Sequence, residues 1–211
     1  KTKGSDWATF DGHIVGFAVA ALDQQWYFPI AHDAGGNMDI SMTTAFIQDI
    51  LKLPATKIFH NASYDVGWLL INGFEIRGKI IDTMIAAAVV NENRFSFSLN
   101  ACAKDYLGEI KNETFLNEKA KEWGIDPKAD MWRLPAGYVG FYAEQDAALT
   151  LKLWQRLKHE IVKQDLHDVW EMEMELLPIL IDMRRRGIRV DIEKAHAIKK
   201  EFKEKESIVL K

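Results

Sequence analysis

Cysteine is nearly missing from this chain. Cys102 stands alone among 211 residues, which excludes an internal disulfide and a cysteine zinc cluster. Its neighbours Asn100, Ala101 and Ala103 suit a helix in which a small thiol packs. Long apolar runs are missing too: none approaches the roughly 18 residues that span a bilayer. The start, Lys1-Thr2-Lys3-Gly4, has no apolar core of the kind a signal peptide needs, so no membrane partner is expected and the chain reads as cytoplasmic. Excess positive charge is a third absence, since 27 Lys and Arg stand against 31 Asp and Glu, a net charge of −4. Contact with nucleic acid must then come from a local basic surface or from metal ions bridging to phosphate. There is no internal repeat or low-complexity tract. What is present, 48% hydrophobic residues, supports one good core with room for a small second module.

Periodicity predicts strands over residues 14–20 and 25–30 with a turn near Asp23 and Gln24. After a loop through Gly35-Gly36-Asn37, Ser41 is placed to cap a helix that runs to Leu51 and is ended by Pro54. Residues 57–60 read as a buried strand feeding a helix from about Ala62 to Asn72, closed by Gly73. A second strand–helix unit follows, with residues 79–81 as strand, Asp82 as N-cap and Thr83 to Val90 as helix. Hairpin plus strand–helix units argue for an α/β, mixed-sheet domain. From Ser98 the pattern is helical, its longest segment running from about Tyr138 to Lys163, and a boundary is expected near residues 164–167. Two more helices are expected in the tail, separated by residues 187–191.

Two segments carry chemistry. Asn61-Ala62-Ser63-Tyr64-Asp65 and Tyr142-Ala143-Glu144-Gln145-Asp146 each place a polar side chain and an aspartate four residues apart, on one face if helical. Asp65 falls just past a strand, near the carboxyl edge where open α/β sheets hold their sites, and a carboxylate pair suggests a metal. The plainer alternative has Asn61 capping the helix and Asp65 favoured by its positive end. Asp146 sits among Ala147, Ala148 and Leu149, so a half-buried carboxylate there needs a cation, a metal or a hydrogen-bond partner. His60 closes a buried strand and reads as a hydrogen-bonded structural residue. Trp68, Trp154 and Trp170 read as core, and Asp82 as a helix cap. In the tail, Lys199, Lys200, Lys203 and Lys205 alternate with Glu201, Glu204 and Glu206, the pattern of a solvated helix face.

Together the two segments resemble the second and third motifs of the DEDD 3′–5′ exonucleases, in the subclass whose third motif is Y-x-x-x-D. Residues 74–78 (Phe-Glu-Ile-Arg-Gly), Asp82-Thr83-Met84 and Ser98-Leu99 narrow the likeness to the proofreading exonuclease domain of Pol I-like, family A DNA polymerases. Glu173-Met174-Glu175-Leu176-Leu177-Pro178 followed by Gly187-Ile188-Arg189-Val190-Asp191 is similar to the junction where that family's polymerase domain begins. Residues 28–32 and 35–37 look like phage-type members, which would place the protein in the host cytoplasm. The resemblance implies a ribonuclease H-like exonuclease domain over residues 1–165 and a helical extension, 166–211, leading into the polymerase. It further implies two divalent cations, Mg²⁺ or Mn²⁺, hydrolysing the terminal phosphodiester of a single-stranded DNA 3′ end. Asp65 and Asp146 would be metal ligands, Tyr142 would orient the attacking water, and Asn61 would contact the terminal nucleotide. Arg94 would bind phosphate, or else be a surface loop cation.

One family feature is absent. Members carry a D-x-E pair on a first strand that is central to the sheet, and neither Asp6 nor Asp11 offers that spacing. The expectation is a fragment of a longer chain, weak in metal binding and slow in hydrolysis. The alternative is an exonuclease fold that has lost its chemistry and serves a polymerase as scaffold or DNA-binding module. A free-standing RNA-trimming enzyme of the same superfamily is a third, disfavoured by the junction in the tail.

Overall fold

The computed structural model describes residues 2–210, and the side chains of residues 6–210. Among the described residues six strands pair two by two. β1 (Thr2–Asp6) and β2 (Asp11–Ile14) form one antiparallel pair, β3 (Gly16–Ala21) and β4 (Gln24–Pro29) a second, and β5 (Lys57–Phe59) and β6 (Ile80–Asp82) a parallel third. Among the described residues no strand is hydrogen-bonded to both β3–β4 and β5–β6.

The helices are α1 (Ile40–Lys52), α2 (Ala62–Ile71), α3 (Thr83–Val90), α4 (Leu99–Leu107), α5 (Thr114–Glu122), α6 (Ala136–Lys163), α7 (His167–Arg186) and α8 (Ile192–Val209). Sequence periodicity located these helices, but the pattern read as helical from Ser98 onward is interrupted at residues 108–113 and 123–135, where only Met131–Arg133 form a short 3-10 turn. It missed the β1–β2 hairpin, whose second strand is exposed along most of its length and carries no alternation. It also misplaced the cap of α1: the carboxylate of Asp39 accepts from the Met42 N–H at 2.8 Å, so the helix starts before Ser41.

α6 organises the molecule. It lies against β3, β4, β5, α3, α4 and α5, and its apolar positions Val139, Ala143, Leu149, Leu153, Leu157 and Ile161 are buried at the three-and-four spacing of one helical face. Its entry is fixed by the loop after β4. The Asp33 N–H donates to the Trp132 carbonyl at 3.0 Å, and the Ala136 N–H, otherwise an orphan of the helix start, donates to the Gly35 carbonyl at 3.1 Å. His32 is buried in the same junction, between the Leu134 carbonyl at 2.9 Å from Nδ1 and the Tyr27 hydroxyl at 2.7 Å from Nε2. A carbonyl only accepts, so Nδ1 carries the proton and Nε2 accepts from tyrosine.

The tail divides in behaviour. α7 buries Trp170, Met174, Leu177 and Ile181, with Trp170 stacked on Trp154 at 5.2 Å, and Arg184 pairs with Asp6 at 2.9 Å while lying over the Trp7 ring. α8 buries nothing, so its lysines and glutamates form the solvated face that their alternation predicts. Cys102 is fully buried, as packing requires.

Two predictions concern stability. A Cβ on Gly67 of α2 would fall 2.1 Å from the buried Trp7 ring, so Gly67→Ala is expected to cost about 1–3 kcal/mol, seen as a lower urea midpoint with the slope unchanged. Burial lowers the His32 pKa from its ordinary 6.5, so the unfolded chain takes up a proton that the folded ring resists. The stability due to this ring is intact above about pH 6.5 and is lost as pH falls towards the folded value. Melting temperature against pH should show that decline, and His32→Gln should flatten it.

Candidate active site

β5 ends at Phe59, and the chain then turns into α2 through Asn61, whose φ of 65° lies in the left-handed region. The turn is held from outside. Asp82, at the end of β6 and 1% exposed, accepts from the Asn61 N–H at 3.0 Å and the Ala62 N–H at 2.7 Å while capping α3 through the Met84 N–H at 2.8 Å. The cap expected of the Asn61 side chain is therefore not made: a left-handed residue cannot aim its own amide back at the helix start, and a buried carboxylate takes that place. The Asn61 side chain is left exposed and Asp65 half-buried in the first turn of α2, where the helix dipole favours negative charge. His60 is structural, as expected, with Nε2 at 2.9 Å from the Phe97 carbonyl and Nδ1 at 2.9 Å from the Thr83 hydroxyl. Burial lowers its pKa against the pull of the Asp82 and Asp146 charges.

The second motif lies on α6, and most of its residues have a task. Tyr142 is buried with its ring beneath the Lys111 ammonium, 3.5 Å from Nζ to centroid. Glu144 accepts from the Tyr27 N–H of β4 at 3.1 Å, and Gln145 accepts from the Asn112 N–H at 3.2 Å. Asp146 forms an ion pair with Lys111, which also lies 3.5 Å from Glu113. Arg94 is turned onto α4, bonded to Asp105 at 2.9 Å and lying over the Tyr106 ring.

Lys111 is the residue that sequence reasoning missed. It stands between α4 and α5 in Gly108-Glu109-Ile110-Lys111, a stretch without periodicity, and only its 5% side-chain exposure reveals its importance. Asp65 and Asp146 have the hard oxygen donors that Mg²⁺ and Mn²⁺ take, but among the described residues no group of three or more His, Cys, Asp or Glu gathers to hold an ion. The donors fit a divalent cation in kind.

A family model described as 3′–5′ exonuclease matches residues 14–162. The chain belongs to that family, the exonuclease domain of family A DNA polymerases. It is 36% identical over 204 residues to a DNA-directed DNA polymerase of Pseudomonas phage M6, covering 95% of this chain and 31% of that one. It is 34% identical to a DNA polymerase DpoZ of Salmonella phage PMBT28 (93% and 31%) and 28% identical to DNA polymerase I of Chloroflexus aurantiacus (90% and 20%). The chain thus spans about a third or less of these relatives' length. Among solved structures, Pol1 of M. smegmatis in complex with DNA primer-template and dNTP aligns with a TM-score of 0.68 at 21% identity, over 92% of this chain and 29% of that one. A nuclease in its apo form aligns at 0.67 and 16%, over 89% and 83%. The fold is that of the ribonuclease H-like exonucleases, a family that generally uses divalent metal ions.

In this exonuclease domain Asp82 sets the motif that carries Asp65. Asp82→Asn would keep the shape, remove the charge and point an amide at backbone donors. It should destabilise by about 3 kcal/mol, measured by urea unfolding, whereas Asp105→Asn on the surface should cost under about 1 kcal/mol.

Proposed function

We propose that these residues are the proofreading 3′–5′ exonuclease part of a longer, phage-type family A DNA polymerase, acting on a single-stranded DNA 3′ end in the host cytoplasm. The observation that carries it is the placing of Tyr142 and Asp146 one turn apart on the buried face of α6, in a chain whose family match covers both aspartate motifs. Residues 1–165 form the exonuclease part, and residues 166–211 lead to the polymerase part.

In the reaction Asp65 and Asp146 would hold Mg²⁺ or Mn²⁺. Bound divalent cations lower the pKa of water and stabilise a leaving oxygen. Tyr142, fixed by burial, presents its hydroxyl to orient the attacking water. Asn61, exposed at a backbone turn that Asp82 holds, contacts the terminal nucleotide, and Arg94 serves the phosphate near the scissile end once it exchanges Asp105 for that anion.

A second reading is favoured by the ion pair between Lys111 and Asp146: an exonuclease fold kept as a scaffold beside a polymerase, with its chemistry lost. Metal-dependent release of mononucleotides by the full-length protein would rule that out. For the first reading, Asp146→Ala in the full-length protein is expected to slow removal of 3′ nucleotides by about 10²–10³-fold and to leave nucleotide incorporation unchanged. A primer-extension and degradation assay reads both, and undiminished cleavage would sink the exonuclease assignment.

A further inference from the structure

Lys111 is held in a setting that a surface lysine never meets. Its side chain is 5% exposed, it is ion-paired to Asp146, its Nζ lies 3.5 Å from Glu113, and it sits 3.5 Å above the Tyr142 ring centre. A buried ammonium is tolerated only when paired and bonded, and here two of its three neighbours, Asp146 and Tyr142, are residues assigned to the reaction. The loop that carries it is fastened to α6 on both sides, by the Asn112 N–H to Gln145 at 3.2 Å and by Lys152 to Glu109 at 2.8 Å. The loop is therefore held against α6, and its ammonium is seated on Asp146, the aspartate read as a metal ligand.

We propose that Lys111 is the resident counter-cation of the site: it holds Asp146 and Tyr142 in the metal-free protein, and a divalent cation must displace it to bind Asp146. This rests on the reading of Asp146 as a metal ligand. Two cations on one carboxylate within a few ångströms, in a setting of low dielectric, repel strongly, so seating of the lysine and binding of the metal exclude each other. Lys111 is a positioning residue in this scheme. While seated it fixes the carboxylate and the phenol ring, and it lowers the apparent metal affinity by the fraction of molecules in which the site is taken.

The test uses full-length protein, Mn²⁺ binding followed by electron paramagnetic resonance, and acetylation footprinting of lysines. Lys111→Gln should bind Mn²⁺ about tenfold more tightly than the unmodified protein, with Lys111→Arg unchanged. In the unmodified protein, saturation with Mg²⁺ should raise acetylation of Lys111 several-fold and leave that of Lys128, which is 69% exposed, as it was. Equal or weaker Mn²⁺ binding by Lys111→Gln overturns the proposal. So does labelling of Lys111 that Mg²⁺ fails to raise, a measurement that stands even where the variant does not fold. Asp146→Asn separates the two levels. Were it to leave Mn²⁺ binding untouched, Asp146 would be no ligand and both ideas would fall; were it to abolish binding that Lys111→Gln does not tighten, only the displacement would fall.

Discussion

The carboxylate of Asp82 is buried away from water, and a charge so placed is stable only if the protein surrounds it with donors. Its three donors are the backbone N–H groups of Asn61, Ala62 and Met84, at the starts of two helices where such groups have no partner of their own. One side chain therefore satisfies orphan donors of α2 and α3 together and ties the ends of the parallel strands β5 and β6 to both. The left-handed turn at Asn61 presents its own N–H and that of Ala62 to this one carboxylate. A non-glycine residue held there stores backbone strain, which the three charge-assisted bonds offset. Asp65 inherits its place from this knot.

The other half of the site depends on a helix in place of a sheet. β3–β4 and β5–β6 share no strand among the described residues, yet α6 lies against both. Within five residues α6 supplies Glu144 to β4, Gln145 to the loop before α5, and Tyr142 with Asp146 to Lys111. The contacts of this motif thus hold α6 to β4 and to the loop before α5. The His32 junction locks the helix start by bonds to residues a hundred positions away in the chain.

Sequence made the helices legible because each presents an apolar face at helical spacing or a clear cap, as Ser98 does for α4 and Asp82 for α3. Asp65, Tyr142 and Asp146 stood out because their spacing, order and flanking blocks resemble the motifs of one family. It could not show what depends on contacts distant in sequence. Lys111 meets Asp146 from 35 positions away, and Asp82 meets Asn61 from 21; neither pairing leaves a local pattern. The β1–β2 hairpin was invisible for a different reason, since β2 is exposed along most of its length and an exposed strand needs no alternation.

These two kinds of contact differ in what they ask of the site. The Asp82 knot bonds an anion to backbone groups that cannot leave, so it is part of the fold under all conditions that keep the protein folded. The Lys111 contact bonds an anion to a side chain on a loop, and the same anion has the donor chemistry of a divalent-cation ligand. Asp82 thus ties one aspartate motif to the backbone of two helices, and Lys111 ties the other to a loop side chain.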